Sequence, residues 1–191
     1  MQHYDHAMLG AILSMAAGAH RRFGAAIVVT AIAAASLPDW DDLPGGVHRV
    51  WGHSLLVAPM ASGLVGAVGY LAYVSLRRPT AAPASGHAGH DLAVWILVGV
   101  LASLSHVLTD LAYSGRGLAP EWPVALLWPV SDRRWAWPLV PFADRGLTVI
   151  LAVALATVVL RPGRARLLSA MAMVATVGYV ALWAVAAVLA R

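Results

Sequence analysis

Three stretches of the chain are apolar for long enough to cross a bilayer core, which takes about 20 residues at ~1.5 Å each. They are Ser54–Leu76, Leu92–Tyr113 and Leu167–Ala190. Three shorter apolar runs, Ala7–Ala19, Phe23–Leu37 and Gly146–Leu160, suit short or tilted spans, or half-helices packed inside a bundle. The pattern predicts an all-α fold: a polytopic membrane bundle of about six helices in one domain, the first helix short or interfacial. The first run is not a signal peptide, because Met1–His6 carries no positive charge and Arg21-Arg22 follow the apolar stretch instead of preceding it. Two connections differ in character. Residues 77–90 form a Pro/Ala/Gly/Ser linker expected to be flexible. Residues 115–145 form a Trp/Pro-rich loop expected to lie at the membrane interface, on the side that carries six of the eight tryptophans.

Composition agrees with a lipid environment. Of 191 residues, 60% are hydrophobic and 12% charged, against about 45–50% and ~25% in soluble domains. That excludes a soluble enzyme and a disordered chain, and the absence of cysteine excludes a disulfide scaffold. The net charge of +4 comes from 13 basic residues, all arginine, dispersed between apolar runs. Such spacing marks membrane flanks and points away from nucleic acid. With the N-terminus outside, the inner loops hold seven arginines and the outer side six. That count barely discriminates, but every inner cluster abuts a span, which favours this orientation; the expectation is a bacterial or archaeal cytoplasmic membrane protein with its polar residues on the extracytoplasmic side.

Acids and histidines beside membrane spans are costly and need a reason. In the alternating layout His3, Asp5 and His6, the run Pro38-Asp39-Trp40-Asp41-Asp42, the run His48-Arg49…His53-Ser54, and the pair His106 and Asp110 all fall on one side. His106 and Asp110 are spaced i, i+4 and share a helix face. The three clustered carboxylates repel one another unless a cation or protons neutralise them. His6 heads a ridge of small residues, Gly10, Ser14 and Gly18, that lets a neighbouring helix approach. His3 reads as a frayed helix end. Four segments delivering His and Asp to one place point to a metal site. The expected ligands are His6, Asp39, Asp41, His53, His106 and Asp110. Asp42 or His48 would act as general base or orient a ligand, Arg49 would meet a phosphate or carboxylate oxygen, and Ser54 is either a nucleophile or a helix cap.

These motifs resemble those of the predicted membrane-bound metal-dependent hydrolases typified by YdjM. The matching elements, spread over residues 6–135, are His6 with Gly10, Pro38-Asp39-Trp40-Asp41, and His48-Arg49-Val50-Trp51-Gly52-His53-Ser54. His106-Val107-Leu108-Thr109-Asp110 and Trp128-Pro129-Val130-Ser131 before Arg133 complete the set. Asp42 and the longer stretch before Trp128 depart from the pattern. The resemblance implies an inner-membrane hydrolase using one or two divalent ions, with zinc first and manganese or magnesium as alternatives. Cleavage of a phosphoester in a membrane lipid or lipid-linked substrate is the leading expectation. The His-Glu-x-x-His helix of common metalloproteases is absent. The alternative is a metal-ion or proton-coupled transporter or channel using the same cluster.

Overall fold

The computed structural model describes residues 1–42, 48–77, 88–115, 122–141 and 144–189. The side chain of Asp42, residues 78–87 of the linker, and Arg116 in the interfacial loop lie outside the described residues. Within them the fold is helical: α1 (His3–Ala16), α2 (His20–Phe23), α3 (Ala25–Ser36), α4 (Val57–Leu76), α5 (Ala88–Ala112), α6 (Gly146–Leu160) and α7 (Ala165–Leu189), with 3-10 turns at Leu37–Asp42 and Pro162–Arg164. The six longer helices follow the six apolar runs. α2 is one extra turn between the first two, and α5 begins at Ala88, inside the stretch read as linker.

Helices α4, α5 and the Pro162–Leu189 segment are each long and apolar enough to cross a membrane. α1 and α3 are shorter, 14 and 12 residues, or about 21 and 18 Å of axis. They form the centre of the bundle. α1 starts in a capping box in which Asp5 accepts the backbone N–H of Gln2, and the chain leaves it through Gly18, whose φ of 80° suits glycine. A Cβ on Gly10 would come within 2.6 Å of the Ala31 carbonyl oxygen, so the two backbones touch. The His6–Gly10–Ser14 ridge thus packs as its small residues require.

The two longer pairs flank this hairpin. α4 and α5 close against each other across glycine: a Cβ on Gly99 would stand 2.2 Å from the Ser62 carbonyl oxygen, and one on Gly66 2.3 Å from that of Trp95. Ser62 Oγ also donates to the Ala34 carbonyl at 3.1 Å, tying α4 to α3. On the other flank Leu147, Leu151 and Ala172 pack against Leu9 and Ile12 of α1. Outward residues stay bare, Leu76 at 84% and Val174 at 73% exposure. A face of that kind is stable in hydrocarbon and not in water.

The longer non-helical segments, residues 48–56 and 122–141, lie at one end. Leu55 N–H donates to Leu126 O (2.9 Å), Ala125 N–H to Arg49 O (3.0 Å), and an isolated antiparallel bridge pairs Val124 with Trp135. The tryptophan-rich loop is therefore laced onto residues 49–55, directly above the ends of α3 and α5.

Candidate metal centre

His6 from the first turns of α1, Asp39 from the 3-10 turn after α3, and His106 and Asp110 from the last turns of α5 meet at this end. Each offers a ligand atom within 4.8 Å of the others. Three elements supply them because α1 and α5 run so that their polar ends coincide, while the helix ending at Ser36 delivers Asp39 one turn beyond. His53 borders the group: its Nε2 is 3.1 Å from Asp110 Oδ2, 3.7 Å from Asp39 Oδ1 and 3.2 Å from His106 Nε2. His106 Nε2 is 3.3 Å from Asp39 Oδ1, and His6 Nε2 is 3.1 Å from Asp110 Oδ1. His6, His53, His106 and Asp110 are essentially inaccessible to solvent.

The ring orientations are set from behind. His106 Nδ1 donates to the Ala35 carbonyl at 2.6 Å, which leaves Nε2 as the inward nitrogen. His53 Nδ1 faces Asp41 Oδ2 at 3.2 Å, so its Nε2 also points inward. A histidine that binds metal nearly always donates its other N–H to a carboxylate or backbone carbonyl in this way. Two Nε2 atoms turned towards each other at 3.2 Å need a proton or a cation between them. His6 turns its Nε2 to Asp110, while its Nδ1 is buried with no hydrogen-bond partner among the described residues. Ligands about 2.0–2.2 Å from a tetrahedral ion stand roughly 3.3–3.6 Å apart, close to the spacings seen here. The donor set fits a divalent cation. His6, Asp39, His106 and Asp110 would hold it, with His53 within reach.

Other expected site residues occupy different places. Asp41 is not among the grouped ligands. Its Oδ2 accepts the N–H groups of Val50 (3.1 Å) and Gly52 (3.2 Å) as well as facing His53, and its Oδ1 faces His48 Nδ1 at 2.9 Å. Asp41 therefore stands behind His53 and sets its orientation. His48 is one step further out, half-buried, with its ring edge-on to His53. Arg49 is only 1% exposed. Its Nη2 pairs with Asp110 Oδ2 at 2.9 Å, its Nη1 donates to the Trp122 carbonyl at 2.7 Å, and its guanidinium lies over the Trp122 ring. The fork expected to meet a substrate oxygen is engaged within the protein, and the left-handed backbone at Arg49 (φ 62°) turns it inwards. Ser54 Oγ donates to the Trp128 carbonyl and accepts the N–H groups of Leu56 and Val57. It caps α4, and its proton is committed to a carbonyl.

The sequence reading missed three contributors. His3, read as frayed, places Nδ1 2.6 Å from Asp39 Oδ2 with its ring largely in solvent; its i, i+3 spacing from His6 was the available signal. The Ala35 carbonyl has no residue-type signal. The amino group of Met1 also lies 2.9 Å from Asp110 Oδ1.

Charge is balanced locally. Burial alone would raise the Asp39 pKa, but the hydrogen bond and charge of His106 outweigh it and hold the carboxyl well below the usual range. Burial likewise opposes ionisation of Asp41, and hydrogen bonds from His48 and His53 overcome it. For His53, burial favours the neutral ring, but hydrogen bonds and charge from Asp110 and Asp41 prevail and push its pKa up to about 9.

These features define a helical membrane protein with a buried His/Asp centre at one end of its bundle. The chain belongs to the YdjM inner membrane protein family, whose match runs over residues 1–188. The similarity therefore extends past the motif region at 6–135 and takes in α6 and α7. No curated protein and no solved structure matches the chain.

Proposed function

We propose that this protein is a membrane-embedded metal-dependent hydrolase acting on a phosphoester of a lipid or lipid-linked substrate, with its centre on the extracytoplasmic side. The observation that carries the reading is the pair of imidazoles whose Nδ1 atoms are anchored on Asp41 and Ala35, and whose Nε2 atoms converge with two carboxylates. A divalent cation there supplies Lewis acidity and makes a neighbouring water more acidic. Asp110 and Asp39 neutralise positive charge, and Arg49 fixes Asp110 from the far side. Asp41 orients His53 and, with His48, leads from the centre to the half-exposed rim, a route by which a proton can leave. His3 presents an exposed ring beside Asp39, within reach of an incoming group.

The surroundings favour a membrane-resident substrate. Trp40, Trp137 and Val130 are 57%, 63% and 79% exposed on the segments around the centre, the pattern of an interfacial belt. Below the centre the interior closes with Ala34, Ala35 and Ala102, then Trp95 and Val98, all fully or nearly fully buried. That apolar plug supports hydrolysis over conduction through the bundle.

The test is metal content of detergent-purified protein by elemental mass spectrometry, followed by phosphate release from phosphatidic acid and isoprenoid phosphates in mixed micelles. One or two equivalents of metal, lost in His106→Ala and Asp110→Asn, with metal-dependent release, is the expected result. Protein that stays folded and binds no added metal would overturn the proposal.

A further inference from the structure

The end of the bundle opposite the His/Asp centre gathers arginines. Arg21, Arg161, Arg164 and Arg166 are all exposed, and none of them pairs with a carboxylate among the described residues. The acid on that side, Asp91, is held by Arg22 at 2.5 Å. The arginines come from two separate parts of the chain. Arg166, in the first turn of α7, lies across the turn after α1: its Cδ and Nε stand 3.4 and 3.5 Å from the position a Gly18 Cβ would take. The same Gly18 carbonyl accepts the N–H of Arg21 at 3.0 Å. The fold thus brings Arg166 onto the segment that carries Arg21 and Arg22. Arg21 and Arg166, carried to one segment without a carboxylate partner among the described residues, offer an anion two guanidinium groups.

Directly beyond the arginines, along the membrane, the α6–α7 flank is bare and apolar. Leu160, Leu167 and Met171 are 80%, 59% and 59% exposed. A cationic rim over an apolar wall matches a phosphate headgroup over acyl chains, and a soluble anion would have no use for the wall.

We propose that this rim binds the phosphodiester headgroup of an anionic phospholipid, whose chains lie along α6 and α7. The site is separate from the metal centre and stands or falls without it. A cluster of basic side chains between helices at a membrane face is a chemistry that recognises such headgroups. Arginine is favoured over lysine because its planar fork meets phosphate oxygens in pairs. A purely topological role for these arginines would require charge alone and would be complete once the chain has inserted.

The experiment is native mass spectrometry of protein released from vesicles of phosphatidylcholine with or without phosphatidylglycerol. Wild-type protein is expected to retain phosphatidylglycerol in preference to phosphatidylcholine. Retention should fall about fivefold for each arginine replaced in Arg21→Gln and Arg166→Gln. Arg133→Gln, at the opposite end, should leave retention unchanged. The Arg21→Lys/Arg166→Lys variant keeps the charge needed for insertion and should still lose part of the preference. Equal retention of the two lipids, a double Gln variant that binds as wild type, or an equal loss in Arg133→Gln would each overturn the proposal. So would displacement of the lipid by glycerophosphate as effectively as by phosphatidylglycerol.

Discussion

Replacing Asp41 separates a ligand from a residue that orients one. Its carboxylate makes four contacts, with His48 Nδ1 at 2.9 Å, Val50 N at 3.1 Å, Gly52 N at 3.2 Å and His53 Nδ1 at 3.2 Å. Asp41→Asn keeps a carbonyl oxygen where Oδ2 stands, so His53 retains a neutral partner and loses only the charge-assisted one, which is about twice as strong. Removing an outer partner of a metal-binding histidine costs 10–100-fold in affinity. The Asn variant belongs near the lower figure and Asp41→Ala near the upper, about 1.4 and 2.7 kcal/mol. Asp41→Ala also leaves the Val50 and Gly52 N–H groups without an acceptor, at roughly 1–3 kcal/mol each, so its melting temperature should drop as well. The assay is competition with a chelator of known affinity on detergent-purified protein, beside Asp110→Asn. If Asp41→Asn loses metal as completely as Asp110→Asn, Asp41 is itself a ligand and the reasoning fails. If Asp41→Ala binds as tightly as wild type, the orienting role fails instead.

Three further outcomes are expected. Gly99→Ala, whose methyl would meet the Ser62 carbonyl at 2.2 Å, should destabilise the α4–α5 seam by about 1–3 kcal/mol, read as a lowered thermal midpoint in detergent; an unchanged midpoint would mean the seam is loose. Ser54→Ala should lose the α4 cap, about 1 kcal/mol, yet retain full metal content and any turnover; abolished turnover with intact metal would restore the nucleophile reading. The third concerns pH. The His53 pKa is raised to about 9 in the metal-free protein, so the stability it contributes is complete below its ordinary 6.5 and is lost as pH rises through 9. Bound metal must displace that proton, so apparent affinity should climb towards pH 9 while metal-free stability declines. Titrations at pH 6.5 and 9 read both, and parallel trends would contradict the assignment.

Much of the centre was visible in the sequence because its chemistry is carried by residue type at a helical period. His106 and Asp110 share a face at i, i+4, and His6 heads a ridge of small residues whose packing follows from their size. What sequence could not separate was Asp39 from Asp41. Two carboxylates one residue apart read alike, and only the 3-10 geometry of Leu37–Asp42 sends one to the cluster and the other behind His53. The surroundings of Arg49 were hidden for a similar reason: its type suits a substrate anion, but its inward turn depends on a left-handed backbone that no pattern announces. The Ala35 carbonyl, which fixes the His106 tautomer, belongs to the main chain and leaves no trace in composition. The extra turn at α2 and the early start of α5 at Ala88 lie at helix ends, where hydrophobic periodicity is weakest.

The brevity of α1 and α3 bears on the membrane around the protein. At about 21 and 18 Å they fall some 10 Å short of a ~30 Å hydrocarbon core, whereas α4, α5 and α7 are long enough to span it. The shortfall is made up by irregular backbone, the 3-10 turn, residues 48–56 and the laced tryptophan loop. Backbone of that kind endures at such depth only where protein or water meets its polar groups. Because the longer helices stand around the short pair, the shortfall is taken up inside the bundle and the bilayer has no need to thin. His106, six residues before the end of α5, lies about 9 Å below that end, under the laced loop. On the reading proposed above, a lipid phosphate would have to pass beneath that loop to reach the centre, without being lifted out of the membrane.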